Sequence, residues 1–441
     1  MSCFEALDTK SSQLEGRSAS QLEGRSASQL EGRSASQLEG REHQSARGSG
    51  AIHRLRSKMI HTSRKRVGDA CYAEHMVTIT PVTTRANRKR WIEFPYRKFA
   101  NHPTWVPPLL LQEWEDTDPA KNPFYDHSDV QLFLALEGDK VVGRVAALSD
   151  RNYNEFHKEA TCLFSNFEAD SLEVGRMLMA TVEAWGKARG AGVIKGPSKI
   201  TQNDMMGFLI ENFEDRPTVM MNYNPPEYPA WMGELGYVKS EDTFAWKMTV
   251  EQGLPERVGR IAERVKKNLR VTLRSISKKD IENDALIMRQ IYNAAWDANW
   301  GFVPWTESEI GHLKDQLKQV ADFKLSFIAE IDGKAVAFSL VLPDINEALP
   351  GTGGRLLPFG LLKLLTLKPK RMRLLALGIL PEYHGRGLDA LLYAETFWRG
   401  KGTYSAGEFG WTLESNEGIN NGMRALGAVP YKRYRIFEKK L

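Results

Sequence analysis

The stretch Leu377–Leu392 (LGILPEYHGRGLDALL) holds the residue types best suited to chemistry in this 441-residue chain. An apolar run ends, Pro381 stops a strand ladder, and a turn containing Gly385 and Gly387 opens a helix from Leu388 onward. Glycines let a backbone come close to a ligand, and the unpaired N–H groups of a helix start favour phosphate oxygens. Arg386 adds charge-assisted bonds, and His384 is a further donor. An ordinary strand–helix turn would also carry two glycines, so the chemistry depends on where this turn sits. Just upstream, Arg355–Arg373 reads RLLPFGLLKLLTLKPKRMR, with seven leucines between Leu356 and Leu367 and no acidic residue between Glu347 and Glu382. Leucines left in water cost roughly 1.5–3 kcal/mol each. They must enter the core, an acyl tunnel or a bilayer. The basic flanks favour anionic lipid headgroups at about 1 kcal/mol per cation, while a core-packed helix explains the leucines alone.

Other chemistries are set aside by composition. The net charge is +5, of which +3 lies in the first 75 residues, leaving a near-neutral body unlike a general nucleic-acid binder. Cys3, Cys71 and Cys162 are the cysteines, and only the last lies in the body, which excludes a disulfide framework or a Cys-based zinc site. No apolar run reaches the roughly 18 residues of a membrane span. The start MSCFEALDTK lacks the basic and apolar regions of a secretory signal, which predicts a cytoplasmic protein.

The elements that must position the glycine turn read as two copies of one plan. Residues 13–41 repeat QLEGRSAS, too poor in apolar residues to build a core, so 1–75 is expected to be a disordered tail. From Met76, Val77–Val82 reads as a strand, Trp91–Ala100 and Val106–Trp114 as helices, and Val130–Leu136 with Val141–Leu148 as a hairpin. A strand at Ala160–Phe167, a helix at Leu172–Arg189, a strand from Val193, a short helix ending at Leu235-Gly236 and a strand through Phe244–Val250 complete the first copy. A linker helix over 251–270 leads into the second. There the strands are Val271–Ile276, the hairpin Leu325–Ile331/Ala335–Val341, Arg373–Ile379, Phe409–Leu413 and Tyr431–Glu438. Helices fall at Glu282–Asn299, Gly387–Gly400 and Ile419–Leu426. The expected fold is a mixed α/β sheet in two domains, 76–250 and 271–441.

In that order the glycine turn follows the fourth strand of its copy, where the GNAT superfamily (Gcn5-related N-acetyltransferases) holds the pyrophosphate of coenzyme A. The chain resembles this superfamily well over 271–441 and more weakly over 76–250. The family loop reads Gln/Arg-x-x-Gly-x-Gly/Ala; His384, Gly387 and Asp389 stand at its three slots. The resemblance implies acyl-CoA as cosubstrate, bound by Leu377, Gly378 and Ile379 on the strand and by His384, Gly385, Arg386, Gly387, Leu388 and Asp389 in the turn. Asn416, eleven residues before Gly427, matches the family residue that contacts the pantetheine arm. Met423 stands where family members carry the tyrosine that protonates the leaving thiolate, so Tyr431 or Tyr434 takes that role, or no dedicated acid exists. Glu414 and His384 are the candidate bases for an ammonium nucleophile, and backbone N–H groups around Leu377–Ile379 would polarise the thioester oxygen.

The first copy has no such loop, since Asn166–Gly175 (NFEADSLEVG) sets acids where glycines and a base belong. It is expected to scaffold or to bind the acceptor, and Trp105, Tyr125 and Tyr223 either shape that site or pack as core. The HPTWVPPL, NPFYDH, GRLLPFGLLKLL and PEYHGRGLDALL stretches resemble a bacterial tandem family that includes the bacterial ceramide synthases. That resemblance implies N-acyl transfer from a fatty acyl-CoA to a sphingoid-base amine. The leucine-rich segment would then lie near the thioester and touch the inner membrane surface, with no nucleic acid and no metal involved. Rival readings are an acetyltransferase of a small polar amine and a non-catalytic regulator that binds CoA or lipid. Aminoacyl-tRNA-dependent transfer fits poorly with the near-neutral body.

Overall fold

The computed structural model describes residues 76–200, 206–356 and 360–441. The repeat tail expected over 1–75 lies outside the described residues. In chain order the first part is β1 Val77–Pro81, α1 Arg85–Lys98, α2 Leu110–Asp116, β2 Ser128–Glu137, β3 Lys140–Asp150, α3 Arg151–His157, β4 Thr161–Ala169, α4 Leu172–Lys187, β5 Val193–Ser198, β6 Phe208–Glu211, α5 Glu227–Glu234 and β7 Val238–Thr249. Helix α6 (Glu256–Asn268) links it to β8 Thr272–Ser275, α7 Ile281–Ala295, α8 Glu307–Val320, β9 Phe327–Ile331, β10 Lys334–Pro343, α9 Gly360–Thr366, β11 Arg371–Ile379, α10 Leu388–Gly400, β12 Ala406–Leu413, α11 Glu417–Ala425 and β13 Val429–Lys440.

Local chemistry explains most of these elements. The β9–β10 hairpin turns through Asp332 and Gly333, both at positive φ, with Ile331 opposite Lys334, as a two-residue turn requires. Helix α4 starts where Ser171 accepts the Val174 amide at 3.3 Å, and it buries Val174, Leu178 and Val182 at helical spacing. A Thr306–Glu309 capping box opens α8. The helix expected over Val106–Trp114 begins only at Leu110, because Pro107 and Pro108 bring no amide hydrogens and hold the chain extended. Helices α3 and α8 and strand β6 lie outside the expected order.

The sheet runs β1-β2-β3-β4-β5-β13-β7-β12-β11-β10-β9-β8, with β6 joined to β13. The strand that closes each half therefore lies in the sheet of the other. β7 pairs antiparallel with β12, β13 pairs with β5, and the two exchanged strands pair with one another along Val238–Lys247. The cores follow the exchange. Trp246 and Met248 of β7 pack among Leu391, Met423 and Leu426, while Phe437 of β13 packs among Phe164, Phe208 and Tyr237.

Candidate active site

Strands β11 and β12 pair in parallel from Arg371↔Ala406 to Leu374↔Phe409, and there the ladder ends. β11 shifts register against β10 after Leu374, so that Leu375 bulges. β12 turns at Gly410, whose φ of +137° and 2.9 Å approach of a would-be Cβ to the Phe244 carbonyl leave room only for glycine. The strands splay and open a cavity of about 200 Å³ between them. Its near walls are Leu374–Leu377 and Phe409–Leu413. Its far end lies under α7 and α8, where Met288, Leu313 and Leu317 join an aromatic stack. In that stack Tyr292 lies 4.0 Å from Trp305 and 4.6 Å from Trp296. Among the described residues, no carboxylate, histidine, lysine or cysteine lines this cavity. Its one cation, Arg373, is buried and donates to the carbonyls of Gly410 (2.9 Å) and Val219 (2.6 Å) beside Glu408.

Past the end of β11, Pro381–Tyr383 form a 3-10 turn, and Gly385 (φ +71°) and Gly387 (φ +82°) carry the chain into α10. His384 is exposed, and its Nε2 donates to the Ile379 carbonyl at 2.8 Å, tying the turn back to the strand. Arg386 is also exposed, its guanidinium 5.2 Å from the Tyr383 ring. Gly387 caps α10 without a side chain. The Asp389 carboxylate instead faces the amides of Ala390 and its own residue, and burial pushes its proton affinity up. The two glycines and Arg386 suit an anionic group, with the Asp389 carboxylate drawing on the same amides. Leu388 is buried in the core. Gly378 answers to packing, because a Cβ would stand 2.6 Å from Phe338 and 2.7 Å from Trp296. Leu377 lines the cavity, whereas Ile379 does not.

The residues expected to handle protons are not brought to this cavity. Glu414 is held by Arg433 and Lys239. Tyr431 hydrogen-bonds Glu408, and Tyr434 is fully buried with its hydroxyl 3.5 Å from the Asn222 carbonyl; burial pushes both phenols well up. Asn416 does line the cavity, and it also caps α11 by accepting the Ile419 amide at 3.2 Å. Met423 lines it too, and so does Tyr393 of α10, which the spacing from Gly387 along that helix would have flagged. The aromatics Tyr292, Trp296, Trp300 and Trp305 signalled the far wall by their density in sequence.

The first half repeats the wedge without the loop. β4 and β5 pair from Thr161↔Val193 and lose register after Leu163. A cavity of about 120 Å³ lies beside them, its lining including Trp105, Arg144, Glu168, Ser198 and Tyr223; Tyr125 is elsewhere. Burial lifts the Glu168 carboxyl to about 7 against the pull of Arg144 and the Tyr228 hydroxyl at 3.0 Å. Ser171 closes the start of α4, and Lys98 ion-pairs Asp170 at 3.0 Å, so no open helix end faces this wedge.

Of the described leucines in the leucine-rich segment, Leu361, Leu362 and Leu365 take neither interior fate. α9 lies at the start of β11, away from the glycine turn at its end, and none of its residues lines the cavity. Leu361, Leu362 and Leu365 are 43, 59 and 75% exposed. No described helix is long and apolar enough to cross a membrane.

Two splayed parallel strand pairs, each leading into a helix within one continuous sheet, define a tandem GNAT fold. A tandem GNAT protein from the clavulanic acid biosynthesis pathway, solved without acetyl-CoA, superposes with a TM-score of 0.51 at 13% identity, over 83% of this chain and 98% of that one. Protein YghO of Escherichia coli is 37% identical over 366 residues, 80% of this chain and 93% of its own. The bacterial ceramide synthase of Caulobacter vibrioides is 34% identical over 381 residues, 83% of this chain and 98% of its own. The chain belongs to the bacterial tandem GNAT family that contains these two proteins. No family model matches it.

Proposed function

We propose that the protein moves an acyl group from acyl-CoA to a primary amine by direct attack, with a long-chain acyl group and a lipid, sphingoid-base amine as substrates. The observation that carries this reading is the apolar, aromatic-walled cavity running from the β11–β12 wedge to beneath α7 and α8. A thioester supplies an activated carbonyl whose oxygen gains charge during attack. Backbone N–H groups of Leu375–Leu377, beyond the last β11–β12 pair, are the donors suited to that oxygen. The amides at the start of α10, with Arg386 and His384, would hold the diphosphate, and Asn416 the pantetheine arm. Met288, Leu313 and Leu317 would take the acyl chain.

Direct attack suits the residues at hand. Cys162 is buried in the first half, and burial pushes its thiol up to about 12, so it stays protonated. With Glu414 bound by two cations, the amine would lose its proton to solvent. Tyr393, the α10 phenol at the cavity, would replace Tyr431 and Tyr434 as donor to the departing thiolate. In this reading 271–441 binds the cofactor, 251–270 links the halves, and 76–250 scaffolds or binds the acceptor.

Release of free thiol from acetyl and palmitoyl thioesters, with sphinganine or small polar amines as acceptors, tests the proposal. Palmitoyl transfer to sphinganine is expected, and Leu313→Trp should lower kcat/KM for palmitoyl by roughly tenfold or more while sparing acetyl, as loss of pocket volume discriminates chains. Activity confined to acetyl-CoA would overturn the long-chain reading.

A further inference from the structure

The exposed leucines of α9 sit in an unusual electrostatic setting. Leu361, Leu362 and Leu365 share one face of the helix, while Gly360 is buried and Leu364 half-buried on the other. Arg355, Lys363, Lys368 and Lys370 around them are all exposed, and none forms an ion pair among the described residues. Arg371, next in line, differs: it pairs with Asp344 at 2.7 Å and with Glu347 at 3.6 Å. Glu347 is also turned toward the amides of Lys370 and Arg371. Asp344 and Glu347, the carboxylates that reach this stretch, thus serve the fold, and the charges of residues 355–370 themselves are all positive.

The patch is built on a firm root. Gly354 (φ +72°) accepts the Leu110 amide at 2.9 Å, and a Cβ there would fall 2.2 Å from the Pro108 carbonyl oxygen. Gly354, six residues before α9, is therefore pressed against the first half. A seven-residue helix spans about 10 Å, so its three leucines form one compact apolar contact ringed by cations.

We infer that this face of α9 docks the protein on an anionic lipid bilayer, with Leu361, Leu362 and Leu365 in the acyl boundary and Arg355, Lys363, Lys368 and Lys370 among the headgroups. Apolar side chains flanked by unpaired cations match the layered chemistry of such a surface. A second copy of the chain matches it poorly, because a two-fold contact would set the cations against one another. The inference stands on these side chains and not on the acyl-transfer reading.

Sedimentation of the full chain with phosphatidylcholine vesicles, and with vesicles of phosphatidylcholine and phosphatidylglycerol in equal parts, decides it without any turnover being measured. Binding to the anionic vesicles is expected, weakening as salt rises. The double variant Leu362→Glu, Leu365→Glu should lower the partition coefficient by roughly tenfold or more at an unchanged thermal midpoint, since neither side chain is in the core. Lys363→Gln with Lys368→Gln should weaken anionic binding and leave neutral vesicles unaffected. Equal binding to both vesicle types, no binding to either, or binding untouched by the leucine variant would overturn it. So would a dimer on gel filtration that the leucine variant splits without any change in vesicle binding.

Discussion

Gly387 and Asp389 stand two residues apart, and they bias the same amides in opposite directions. Gly387 sits at φ +82° and leaves the start of α10 open, whereas Asp389 turns a carboxylate toward the Ala390 amide. A diphosphate bound here must share those donors with Asp389. Asp389→Asn keeps a short polar group at the helix start and removes the charge, so CoA should bind several-fold tighter by calorimetric titration. Gly387→Glu adds a charge and forces a side chain into left-handed backbone, which costs roughly 1–2 kcal/mol of stability; CoA affinity should fall beyond tenfold. Weaker binding in Asp389→Asn would mean that the carboxyl is itself a ligand group. Gly378 and His384 stand out by residue type, and the folded chain gives each a structural partner as well. Gly378 makes way for Trp296 and Phe338, and a His384 hydrogen bond goes to the end of its own strand. A glycine's spacing is visible in sequence; the ring that presses on it is not.

Helix α8 forms one wall of the acyl cavity, and His127 helps tie it to the first half. His127 lies 2.9 Å from Asp150 and 3.4 Å from Glu309 of α8. Burial alone would lower its pKa, but the hydrogen bond to Asp150 and the ion pair with Glu309 outweigh that and lift it to about 9. The folded state thus keeps a proton that the unfolded chain releases near pH 6.5. The resulting stabilisation is complete below about pH 6.5 and disappears as pH rises through about 9. His127→Gln leaves two poorly satisfied buried carboxylates and should cost about 1–3 kcal/mol near pH 6. Urea midpoints of both proteins followed from about pH 6 to about pH 10 should converge; a constant gap would show that the proton plays no part. The Thr306–Glu309 cap was readable as a local motif. That Glu309 also serves a histidine far earlier in the chain was not.

At the scale of the whole molecule, the exchange of β7 and β13 makes each half incomplete. Residues 271–441 alone would leave β12 without its neighbour β7, and β13 without both β5 and β7. An uncovered sheet edge of that length recruits other chains. Expressed singly, 76–250 and 271–441 should each aggregate, and co-expression should recover a soluble 1:1 complex with the thermal midpoint of the intact chain. A soluble monomer of either half with cooperative unfolding would show that its closing strand can fold back. Turns, hairpins, helix caps and the glycine entry to α10 were determined by the sequence alone, because each depends on the backbone preferences of a few adjacent residues. The strand exchange, the cavity beneath α7 and α8, and the capture of Glu414 by Arg433 and Lys239 join positions far apart along the chain. Local periodicity carries no record of such pairings. They are settled only when apolar surface from both halves is buried at once, and that collective choice is made by the folded chain.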